Sequence, residues 1–130
     1  MAVGTPVSGR APMICPGPYI LFFGHRSAKL NERSRWVLDN ALKQRGDCGE
    51  MRALIVGYTD TSEPRLFSRK RAEAARYYMA RHGMPAADIT IRWQGSDRLR
   101  VPTPPDTAEE QNRRVEITYS PPQYYGPQSK

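Results

Sequence analysis

Apolar positions along the chain change their period from segment to segment. Residues 19–23 (YILFF) form a continuous apolar run between Pro18 and Gly24, the pattern of a buried strand. Residues 32–45 place Val37, Leu38, Ala41 and Leu42 on one helical stripe, with Asn31 as N-cap and Gly46 as stop. Residues 52–56 (RALIV) read as a second buried strand ended by Gly57. A second helix is expected from near Glu63 and Pro64, where proline is tolerated in the first turn, to about His82 before Gly83. Residues 89–93 make a third strand. After a polar, proline-bearing loop, residues 114–119 make the last strand, where Val115, Ile117 and Tyr119 alternate with Glu116 and Thr118 at the period of two that a strand requires. The order β-α-β-α-β-β predicts an α+β fold: a two-layer sandwich of a mixed four-stranded sheet with both helices on one face.

Composition bounds this picture. The 130 residues suffice for one core and not for two. No apolar run approaches the ~18 residues of a membrane-spanning helix, so no transmembrane segment is expected. The 12 Pro and 10 Gly crowd towards the ends, which divides the chain into a Pro/Gly-rich leader (1–18), a folded domain (19–119) and a flexible Pro/Tyr/Gln tail (120–130). A formal net charge of +7 favours anionic partners such as cell-wall polymer, acidic membrane or nucleic acid, without choosing among them. Residues 1–18 carry neither a basic start followed by an apolar stretch nor an Ala-x-Ala site, so no export signal is legible in them. Cys15, His25, Cys48 and His82 are too scattered for a soft-ligand metal cluster, and neither metal nor cofactor is expected. No Gly-rich phosphate loop and no nucleophile–base pair is visible, which argues against an enzyme.

One charge stands out by its phase. The second helix is basic throughout, and Arg65, Arg69 and Arg76 project away from its apolar stripe as an ordinary solvated face. Arg71 falls inside the stripe, four residues after Phe67, three before Ala74 and seven before Tyr78. A guanidinium there needs an anionic or carbonyl partner, because an unpaired buried charge costs several kcal/mol. Two readings follow: a structural ion pair with a nearby carboxylate, or a carboxylate-binding arginine in a shallow pocket. Asp60 lies just past the second strand, at the carboxyl end of the sheet where open α/β sheets bind ligands. An antiparallel return of the last strand carries Asn112 and Arg113 to the same edge.

These residues resemble a known family, the OmpA C-terminal-like (OmpA/MotB) peptidoglycan-binding domain. The matching segments are FFGHRSAKL after the first strand, VGYTD at 56–60, SRKRAEAARYYMARHGMPAADIT at 68–90 and QNRRVEITY at 111–119. The resemblance implies a periplasmic, cell-envelope domain that binds peptidoglycan non-covalently. Asp60 then corresponds to the aspartate that takes the ammonium of diaminopimelate in the stem peptide, and Arg71 to the arginine that takes its carboxylate. Asn112, Arg113 and Arg114 correspond to the element bordering the pocket. A periplasmic setting requires an export signal outside these residues.

The match has departures. Eleven positions separate Asp60 from Arg71, a shorter interval than the family's motif has, and TSEPRLF replaces the glycine and asparagine expected there. Gly24, His25 and Arg26 replace the aspartates usual after the first strand, and AEEQ replaces a glycine-arginine pair before Asn112. The alternative function is therefore a degenerate OmpA-like fold acting as a basic envelope scaffold or as a binder of nucleic acid or another anionic polymer. In the family's topology Cys15 and Cys48 each precede one of two parallel strands by four residues. A disulfide between them is expected on that ground, in keeping with an oxidising compartment.

Overall fold

The computed structural model describes residues 17–49 and 51–120. Four strands, β1 (Tyr19–Phe22), β2 (Arg52–Gly57), β3 (Ile89–Trp93) and β4 (Arg114–Ser120), form one sheet in the order β1-β4-β2-β3. β2 and β3 pair in parallel, whereas β4 runs antiparallel to both β1 and β2. The helices α1 (Glu32–Cys48) and α2 (Leu66–Arg81) cover one face. The fold is the α+β two-layer arrangement expected from the sequence.

Alternation on the strands decides which face is covered. Leu21, Ala53, Ile55, Ile89, Val115 and Ile117 point to the helices, where they meet Leu38 and Ala41 of α1 and Ala72, Ala75 and Met79 of α2. Small residues on α2 let it lie close to the sheet. The closest approach is at Gly57, where a Cβ would stand 1.9 Å from the Ser68 carbonyl oxygen. Across the top of the core the Tyr119 hydroxyl donates to the Ala41 carbonyl at 2.6 Å, and the Tyr78 hydroxyl to Asp39 at 2.7 Å.

Two helix boundaries differ from the sequence expectation. Asn31 caps α1 as expected, its Oδ1 accepting from the Ser34 N–H at 2.8 Å. The helix passes through Gly46, however, and ends only at Gly49, whose φ of 90° is a left-handed C-cap conformation. A mid-helix glycine costs only about 1 kcal/mol, which neighbouring turns absorb. At the other boundary, α2 begins at Leu66 and not at Glu63. Glu63 is drawn out of the helix by a stronger engagement described below.

Candidate functional site

The carboxyl ends of β1 and β2 and the start of β4 meet at one edge of the sheet. The Phe23 N–H donates to the Arg113 carbonyl at 2.9 Å, and the Tyr58 N–H to the Arg114 carbonyl at 2.8 Å. This holds the segment leading to Asp60 beside the start of β4. Asp60 is fully buried. Its Oδ1 accepts from the Ser62 N–H at 2.9 Å and the Ser62 hydroxyl at 2.7 Å. Its Oδ2 accepts from the Glu109 N–H at 3.0 Å and from Arg113 Nη1 at 2.9 Å. Burial pushes the Asp60 carboxyl up, but the Ser62 hydroxyl, the Glu109 N–H and the Arg113 guanidinium outweigh it and hold the group below its ordinary value.

Arg71 is also fully buried, and its partner is not Asp60. Glu63 meets it with a two-pronged ion pair, Oε1 at 2.8 Å from Nη1 and Oε2 at 2.5 Å from Nη2, both side chains being 0% exposed. The remaining N–H groups go to carbonyls: Nε to Ser27 at 2.8 Å, Nη1 to Tyr58 at 3.1 Å and Nη2 to Gly24 at 3.1 Å. A guanidinium has five N–H donors, so every one is used. Phe23 and Phe67 flank the cation at 5.4 and 5.7 Å. Glu63 is equally engaged, since Oε1 also accepts from the Asp60 N–H at 3.1 Å and Oε2 from the Arg26 N–H at 2.6 Å. Glu63 thus links the two expected site residues.

The structure brings Asp60, Arg71 and Arg113 together and leaves Asn112 and Arg114 in other work. Asn112 is buried, but its amide oxygen accepts from the Arg100 and Val101 N–H groups at 2.8 Å each, and its Nδ2 donates to the Val101 carbonyl at 2.9 Å. It fastens the long loop that follows β3. Arg114 shares the parity of Glu116 and lies on the sheet face away from the helices. There it donates to Glu116 at 2.7 Å and to the Arg98 carbonyl at 3.1 Å, and sits 3.9 Å from the centre of the Tyr58 ring. Ser68, buried on α2, donates to the Arg65 carbonyl at 2.6 Å and accepts from the Gly95 N–H at 3.1 Å, tying the helix start to the end of β3. Cys48 is buried at the end of α1, while Cys15 lies outside the described residues, as do the leader up to residue 16 and the tail from 121.

By sequence pattern alone Glu63 belongs to the first turn of α2, which conceals its pairing with Arg71. A signal was present: Arg71 demands an anion, and Glu63 is the one acid between Asp60 and Arg71. His25, Asp60 and Glu63 bring ligand atoms within 4.8 Å of one another. The two carboxylates already accept eight hydrogen bonds between them, and two arginines abut them, which disfavours a further cation by repulsion.

Comparison with known proteins is consistent across sequence and fold. Residues 22–113 match the OmpA family. An outer membrane protein of Gluconacetobacter diazotrophicus is 34% identical over 109 residues, covering 76% of this chain and 29% of the relative, so the chain spans less than a third of that protein's length. The peptidoglycan-associated lipoprotein from Burkholderia pseudomallei superposes with a TM-score of 0.69 at 21% identity, covering 78% of this chain and 90% of the other. The OmpA-like domain of FopA1 from Francisella tularensis gives 0.68 at 20% identity, with coverages of 78% and 71%. The C-terminal domain of Helicobacter pylori MotB gives 0.67 at 18% identity, with coverages of 81% and 84%.

Proposed function

The chain belongs to the OmpA family, and from that premise we propose that it is a cell-envelope module that binds peptidoglycan non-covalently, with the diaminopimelate end of a stem peptide received between Asp60 and Arg71. The observation that carries this reading is the pairing at the sheet edge. A buried carboxylate and a buried guanidinium lie at one edge of the sheet, linked through Glu63, and each is matched by a charge of the opposite sign from the chain itself. Arg113 stands where a ligand ammonium would sit on Asp60, and Glu63 where a ligand carboxylate would sit on Arg71. A zwitterionic amino-acid end entering the pocket exchanges carboxylate for carboxylate and cation for cation. No buried charge is left unpaired, which avoids the cost of about 3–5 kcal/mol that breaking such a pair carries. Each charge-assisted contact contributes about 1.5–3 kcal/mol, so single stems bind weakly and a polymer of many stems supplies avidity. The setting is periplasmic, and no catalytic role belongs to this reading.

Co-sedimentation with diaminopimelate-containing sacculi tests it. The wild type pellets with the wall, Asp60→Asn and Arg71→Ala stay in the supernatant although folded, and Arg65→Ala behaves as wild type. Retention of folded Asp60→Asn on the wall overturns the pocket assignment.

A second reading, binding of an anionic polymer, has one observation behind it. Arg65, Arg92 and Arg98 line an open groove of about 630 Å³ with Trp93 at the β3 edge. An acid of the same groove already engages part of this charge, Asp97 meeting Arg65 at 3.2 Å. The first reading is therefore preferred. Loss of wall binding in Arg65→Ala would reverse that preference.

A further inference from the structure

Glu63 is held more completely than a surface loop residue requires. Its carboxylate accepts four N–H groups, two from Arg71 and one each from the backbones of Asp60 and Arg26. These donors come from three scaffold segments: α2, the end of β2 and the turn after β1. Together they form a cradle for a carboxylate as such, and they do not depend on Glu63 for their positions. Glu63 itself reaches the cradle from the short connection between Asp60 and α2, whose neighbours Pro64, Arg65 and Leu66 are exposed. For the carboxylate to leave, that connection has to move against the hydrogen bonds of Thr61 with Thr107 and of Ser62 with Asp60.

From this asymmetry we propose that Glu63 is an internal ligand of the Arg71 cradle, a tethered carboxylate that keeps the pocket shut and competes with any external one. The inference rests on the stem-peptide reading for the identity of the competitor, but the cradle stands on its own geometry. Glu63 lies eight residues before Arg71, and the connection between them folds its carboxylate back onto the guanidinium. Tethered through eight residues, Glu63 presents itself to Arg71 at an effective concentration in the millimolar range or above. The observed affinity for a stem is then reduced by the fraction of molecules in which the cradle is open. A dense array of stems on a wall overcomes this more readily than a free fragment does.

Two measurements test the proposal. In the first, a stem peptide ending in diaminopimelate is titrated into wild type and Glu63→Gln, a near-isosteric change that removes the competing charge. Binding tightens at least about tenfold in Glu63→Gln. Equal or weaker binding by folded Glu63→Gln, with the wild type binding, overturns the internal-ligand proposal and leaves the function intact. In the second, acetate is titrated into Glu63→Ala while thermal unfolding is followed. Acetate fills the vacated cradle and raises the midpoint, or restores folding if the variant is unfolded, saturably and beyond chloride at equal ionic strength. Rescue by acetate while neither wild type nor Glu63→Gln takes up the stem supports the cradle and overturns the peptidoglycan reading. No acetate effect, together with no gain in Glu63→Gln, overturns the proposal outright.

Discussion

A buried guanidinium is tolerable only when all its donors are used, and Arg71 meets that condition with one carboxylate and three carbonyls. Asp60 is balanced differently, by four donors of which only one is a cation. Because its folded carboxyl lies below the ordinary value, it binds a proton less readily than in the unfolded chain. Its contribution to stability is present above the unfolded value of about pH 4 and fades as the pH falls through the lower folded value. Asp60→Asn should therefore cost about 1–3 kcal/mol at pH 7, a deficit that shrinks towards pH 2. Urea unfolding at both pH values measures this, and an equal deficit at both would refute the assignment. At this scale much of the site was legible. Arg71 betrayed itself by its helical phase, and Arg113 and Arg114 were separable in principle, since neighbours on a strand face opposite ways and Arg113 shares the parity of Val115. Glu63 was hidden because its partner lies eight residues away across a loop, and no periodicity connects a loop residue to a helix face.

The elements were readable wherever burial imposed a period. β3 has the bounds its sequence suggested, and β4 differs by one residue. The helix ends were less so, because a cap competes with tertiary contacts that a sequence does not display. Gly46 has the composition of a stop, but the left-handed turn is made three residues later by Gly49. Gly57 owes its place to a contact between elements and not to a turn. Its missing side chain admits the backbone of α2 at Ser68, where a Cβ would stand 1.9 Å from a carbonyl oxygen. Gly57→Ala must push the helix off β2, and with it the Arg71 end of the pocket. A loss of roughly 2–4 kcal/mol is expected, from overpacking against backbone that has no rotamer to change. It should show as a lower denaturant midpoint at unchanged slope. Stability within about 0.5 kcal/mol of wild type would mean that the two elements are not held at this distance in solution.

At the level of the whole molecule, the strand order bears on the bond expected between the chain's two cysteines. β1 and β2 both run antiparallel to the strand between them, β4. They are therefore parallel to each other, and the segments leading into them start at the same end. Cys48 precedes β2 there and is buried where α1 ends. Cys15 precedes β1 by the same interval of sequence. A bond between them would reach across the β4 end and close a loop containing all of α1, with a stabilisation on the order of 3–4 kcal/mol. Denatured, unreduced protein should then show no free thiol and reduced protein two. Reduction should lower the unfolding midpoint without touching the Asp60–Arg71 edge, which lies at the opposite end of the strands. Stem-peptide affinity, measured on folded protein, should accordingly survive reduction. Two thiols in the unreduced protein would dismiss the bridge, and with it the one feature of this chain that independently speaks for an oxidising compartment.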